Sequence, residues 1–161
     1  MAALKVLSVA VASGRAGYVF LDGTQMLDWG ITVKATATAT ELVAFVQELI
    51  NTLRPDVVVT ERCDGDCKKG AAAKRLIASV AELASHNYVL DVAVGRPRTF
   101  PSKYEEASHL ASKHPEVLGY LPKKKRQIFD FEPRNMIIFE ALALAREVID
   151  GPPERLAAAM G

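Results

Sequence analysis

Apolar and polar positions change period several times along the chain, and each change marks an element. Leu4 to Ala12 is a valine-rich apolar run closed by Ser13-Gly14, the pattern of a buried strand that ends in a turn. Gly17 to Leu21 resumes that pattern, and Asp22-Gly23 supplies a tight turn. Met26 to Val33, with Trp29 and Ile31 alternating against polar neighbours, is the returning strand. From Glu41 the period becomes helical: Leu42, Phe45, Val46, Leu49, Ile50 and Leu53 share one face, with Thr40 read as the N-cap and Arg54-Pro55-Asp56 as the stop. Asp56 to Thr60 is a continuous apolar run, as expected of a strand covered on both faces. An alanine-rich helix over Ala71 to His86 and a strand over Tyr88 to Val94 complete a β-α-β unit. The stretch from Gly95 to Arg134 carries five prolines and one helical segment, Ser102 to Lys113. Asn135 to Ile149 is helical again, and Gly151-Pro152-Pro153 ends it.

Composition narrows the class without choosing a function. With 161 residues, 50% of them hydrophobic and 24% charged, the chain fits one globular domain over residues 1–150 and a short tail over residues 151–161. Lysine and arginine number 20 against 19 acidic residues, a net charge of +1, so any anionic partner has to be met by local patches. No apolar run approaches the roughly 20 residues that a membrane span needs. The N-terminus has no signal-peptide pattern, and the two cysteines, Cys63 and Cys67, suit a reducing compartment, so the expected location is cytoplasmic. No glycine-rich phosphate loop is present, which argues against nucleotide hydrolysis.

The element order β-β-β-α-β-α-β-α-α predicts a mixed five-stranded sheet with helices on both faces, an α/β arrangement compatible with the ribonuclease H-like fold. Residues within it resemble the RuvC-like Holliday-junction resolvases. Val9 to Tyr18 resembles their first-strand pattern, with Gly17-Tyr18 in place but Ala10 where the family has Asp and Ala12 where it has Gly. Arg54-Pro55-Asp56-Val57-Val58-Val59-Thr60-Glu61 resembles the strand that carries a metal-binding Glu, and Glu61 stands in that place. Phe139-Glu140-Ala141-Leu142-Ala143-Leu144-Ala145 resembles the last helix, with Glu140 in the final acidic place and Ile137 or Met136 in the preceding one. The resemblance covers residues 4 to 149. It implies a nucleic-acid-binding protein related to Mg²⁺-dependent, structure-selective endonucleases, acting on branched DNA as a homodimer, with Glu61 and Glu140 as metal ligands and catalytic residues. Loss of the first-strand carboxylate implies a catalytically weakened or inactive member, because Mg²⁺ prefers several oxygen ligands.

The remaining candidates weigh less. Asp64 is a substitute metal ligand just beyond Glu61, although Asp64 and Asp66 equally suit a turn that caps a helix beginning near Lys68. Cys63 and Cys67 have no second cysteine or histidine pair to complete a zinc site, and the three histidines suit helix ends and surfaces. Basic residues are the clearest candidates for nucleic-acid contact: Lys68, Lys69, Lys74 and Arg75 after Glu61, and Arg96, Arg98, Lys123, Lys124, Lys125 and Arg126 in the irregular stretch. A solvated lysine run would look the same. The apolar residues at Ala10, Ala12 and Ile137 favour an alternative, a non-catalytic protein-interaction scaffold on the same fold.

Overall fold

A computed structural model describes residues 3–63, 67, 69–96, 99–121 and 135–152. Five strands form one sheet: β1 (Lys5–Ala12), β2 (Arg15–Asp22), β3 (Gln25–Thr32), β4 (Val57–Glu61) and β5 (Leu90–Val94). They lie in the order β3-β2-β1-β4-β5. The first three strands meander antiparallel, while β4 runs parallel to β1 and β5 parallel to β4. Helices α1 (Ala39–Leu53) and α2 (Ala71–His86) cover one face, and α3 (Lys103–Lys113) and α4 (Met136–Ile149) cover the other. The mixed, doubly covered sheet expected from the element order is therefore present. Among the described residues no helix is long and apolar enough to cross a membrane.

Three local details differ from the sequence reading, each for a physical reason. Thr38, not Thr40, caps α1: it is extended, with φ −140° and ψ 159°, and its hydroxyl accepts from the Glu41 N–H at 3.1 Å. Thr38 and Glu41 have the spacing of a capping box, and Thr40 is already inside the helix. Strand β5 starts at Leu90 rather than Tyr88, because Tyr88 adopts a left-handed φ of 57° at the turn after α2 and projects into solvent. Helix α2 begins at Ala71 behind Gly70 rather than near Lys68, and glycine has no side chain to cap it; Asp64 and Asp66, read as cap candidates, lie outside the described residues.

Helix α4 is the central support of the site. Every residue from Met136 to Ala145 is buried, so the helix is enclosed on all sides rather than along one stripe. Its approach to the sheet explains Gly17 on β2, where a Cβ would lie 2.8 Å from Ile137 Cγ2 and 3.1 Å from the Ile137 carbonyl carbon. The buried Ser8 hydroxyl on β1 donates to the Ala141 carbonyl at 2.7 Å and ties strand to helix. Together these contacts hold Glu140 over the carboxyl ends of β1 and β4.

Candidate functional site

Strands β1 and β4 pair only as far as Ser8 and Val59. Beyond that point β1 continues to Ala12 and β4 to Glu61, and the gap between them at the carboxyl edge of the sheet is where the candidate residues meet. Glu140 reaches it from α4, where it is only 3% exposed. Glu61 reaches it from the end of β4, and Arg96 from just after β5.

Lys69, in the segment between β4 and α2, enters the same gap. Its ammonium donates to Glu140 Oε1 at 2.6 Å and to the Val11 carbonyl of β1 at 2.5 Å, and stands 3.8 Å from Glu61 Oε1. Arg96 lies behind it, 2.8 Å from Glu106 Oε1 on α3 and 4.0 Å from Glu140 Oε1. Three carboxylates are thus held by two cations. Burial pushes the Glu61 carboxyl above its ordinary range; the nearby ammonium of Lys69 opposes this, and the charge of Glu140 adds to it. Glu61 Oε1 is itself buried and makes no hydrogen bond.

The two carboxylates named from sequence therefore come together. Lys69 and Arg96, named as basic residues for nucleic acid, have their charge committed to these carboxylates. Lys74 and Arg75 are exposed near the N-terminal end of α2. Asp64, Lys68, Arg98, Lys123, Lys124, Lys125 and Arg126 lie outside the described residues. Cys63 and Cys67, assigned from sequence to a reducing compartment, are joined in a disulfide beside the site, and Cys67 Sγ lies 3.6 Å from Glu61 Oε2. A thiol-ligated metal would require that bond to be reduced, since sulfur binds metal as thiolate.

Glu106 escaped the sequence reading although it left a signal, and His114 sits at a helix end as read but is buried there. Glu106 is buried in line with Ala107, Leu110 and Ala111, the apolar stripe of α3, so a carboxylate stood at a helical core position. His114 is buried at the end of α3 rather than on the surface. Burial pushes its imidazole below the ordinary value, and the Arg146 guanidinium pushes it the same way.

The fold resembles solved structures over almost the whole chain. Against the Thermus thermophilus RuvC structure the identity is 17% and the TM-score 0.57, covering 92% of this chain and 97% of that one. The fold is that of the RuvC-like resolvases. The fowlpox virus resolvase in complex with its substrate Holliday junction DNA gives 12% identity and a TM-score of 0.59 over 91% and 97%. A yeast mitochondrial Holliday junction resolvase gives 12% and 0.52 over 99% and 82%. No protein-family model and no curated protein matches the sequence.

The RuvC-like fold implies a divalent metal, and with the Lys69 ammonium in place the site does not fit one. Mg²⁺ demands near-octahedral oxygen coordination and keeps several waters. Strand β1 presents Ala10, buried and without a donor, and Glu140 already holds an ammonium at hydrogen-bond distance with a guanidinium close by. A divalent ion between Glu61 and Glu140 would sit against the positive charge of Lys69, with a repulsion that falls off only as the inverse of distance.

Proposed function

We propose that this chain is a RuvC-like nucleic-acid-binding protein that engages branched DNA as a homodimer in the cytoplasm, with its nuclease chemistry lost or greatly weakened. One observation carries the reading: a resolvase fold whose paired carboxylates, Glu61 and Glu140, are neutralised by the chain's own Lys69 and Arg96. Binding then rests on basic side chains, with Lys74 and Arg75 on α2 supported by their exposure and Lys68, Arg98 and the run from Lys123 to Arg126 by their sequence. Hydrolysis with Mg²⁺ would have to use Glu61 and Glu140 alone, and their present partners oppose it.

The test uses a synthetic four-way junction and a linear duplex of equal length. Preferential junction binding without divalent metal, weakening steeply with salt, is the expected result. Cleavage with Mg²⁺ or Mn²⁺ should be at background for wild type and Glu61→Gln alike; cleavage lost in Glu61→Gln would make the chain an active nuclease. A second reading, a protein-interaction scaffold, is favoured by the apolar Ala10 and Ile137, both buried where the resolvase pattern has other residues. It prevails if neither junction nor single-stranded DNA binds at low salt.

A further inference from the structure

Three oxygens from three elements converge on one point: the Val11 carbonyl at the end of β1, Glu140 Oε1 on α4 and Glu61 Oε1 at the end of β4. Two anionic carboxylates and a carbonyl make an all-oxygen set of the kind that hard cations take. At that point stands the Lys69 ammonium. It satisfies two of the three oxygens at 2.5 and 2.6 Å and leaves the third, Glu61 Oε1, at 3.8 Å with no hydrogen bond although it is buried. An ordinary ion pair needs one carboxylate. The ammonium has a third donor, yet Glu61 Oε1 stays beyond its hydrogen-bond reach, so the three oxygens are not arranged around this side chain alone.

We infer that Lys69 is a built-in counter-ion occupying an oxygen-lined cation site, and that the site accepts a divalent metal ion once the lysine is removed. The lysine would act in two ways. Its charge offsets Glu140, which could not stay ionised and buried alone. It also excludes divalent ions, because a second cation at the same oxygens meets its full charge at short range. The inference concerns cation occupancy and stands whether or not the chain binds DNA.

Binding of Mn²⁺ is measured by loss of the free-ion electron paramagnetic resonance signal, on full-length Cys63→Ser/Cys67→Ser protein so that sulfur cannot contribute. The expected result is one ion bound when Lys69→Ala is added, at least about tenfold more tightly than any binding in the lysine-bearing background. Adding Glu140→Gln to Lys69→Ala should abolish it. Lys69→Gln, which keeps a donor but no charge, should bind like Lys69→Ala, and Lys69→Arg should not bind. Thermal unfolding gives a second readout: Mn²⁺ should raise the midpoint of Lys69→Ala and leave the lysine-bearing protein unmoved. If the neutral variants are unfolded in chelator, Mn²⁺ should restore their far-ultraviolet circular dichroism. Equal Mn²⁺ affinity with and without Lys69, folded neutral variants that bind nothing, or unfolded ones that Mn²⁺ does not restore would each overturn the inference.

Discussion

The two faces of the sheet are built from the same strands yet bury different chemistry. Under α1 and α2 the core is apolar: Leu7, Val9, Phe20, Leu42, Val46 and Val80 interdigitate, and no buried charge lies among them. Under α3 and α4 an equally dense apolar core also holds Glu106, Glu140 and His114. Burying an ion pair is weak support for stability, since well-packed apolar groups of the same volume often do as well or better. The α1/α2 face closes over the sheet with no buried charges among its described residues. Its partner therefore carries them for a purpose other than packing, which is the physical ground for treating the cleft at Glu61 and Glu140 as a site.

The sharpest way to break this comparison is to remove one charge. Lys69→Met leaves Glu140 buried beside the more distant Arg96, and should cost about 3 kcal/mol in urea unfolding. Adding Glu140→Leu removes the stranded carboxylate, so the double variant should be more stable than Lys69→Met alone. Additive losses would mean that the two side chains do not act as a pair. Leu42→Ala on the apolar face, where the side chain is fully enclosed, should also cost about 3 kcal/mol, but no second substitution of a charged residue should recover it.

A smaller effect tests how closely α4 is seated. Gly17→Ala brings a methyl to 2.8 Å from Ile137 Cγ2 and 3.1 Å from the Ile137 backbone, so either α4 or β2 must shift. Overpacking of this kind costs about 1–3 kcal/mol. Ile137→Leu, which removes the Cγ2 branch at equal volume, should recover only part of the loss, because the backbone contact remains. Full recovery would place the strain in the side chain alone.

Much of this architecture was legible in the sequence, and the parts that were not share a cause. Strands such as Val57–Glu61 and helices such as Ala71–His86 announce themselves through period and turn chemistry, because local pattern dictates them. Glu61 and Glu140 were legible as site residues from position in a family-like motif. Their partners were not. Lys69 looked like one lysine of a basic run, and only the parting of β1 from β4 beyond Ser8 and Val59 reveals that its ammonium crosses to Val11 and Glu140. Arg96 and Glu106 are ten residues apart, a pairing that no periodicity encodes. Cap choice failed for a local reason: Thr38 and Thr40 are equally good cap residues, and the backbone decides between them.

The smallest expected effect separates the faces by pH. The folded protein holds the Glu61 carboxyl above its ordinary value of 4.5, chiefly through burial, so it binds that proton more tightly than the unfolded chain does. Stability from this group is fully present below about 4.5 and is lost as pH rises through the folded-state value. Glu61→Gln keeps a neutral side chain at every pH, so its stability relative to wild type should grow as pH rises across that window. His114 works with the opposite sign: its imidazole is held below the ordinary 6.5, so its contribution is present above that value and lost as pH falls through the folded-state value. Leu42→Ala should shift the whole pH–stability curve down without changing its shape. A Glu61→Gln curve parallel to wild type would mean that the carboxyl titrates alike folded and unfolded, and that the cleft at β4 is no different electrostatically from open surface.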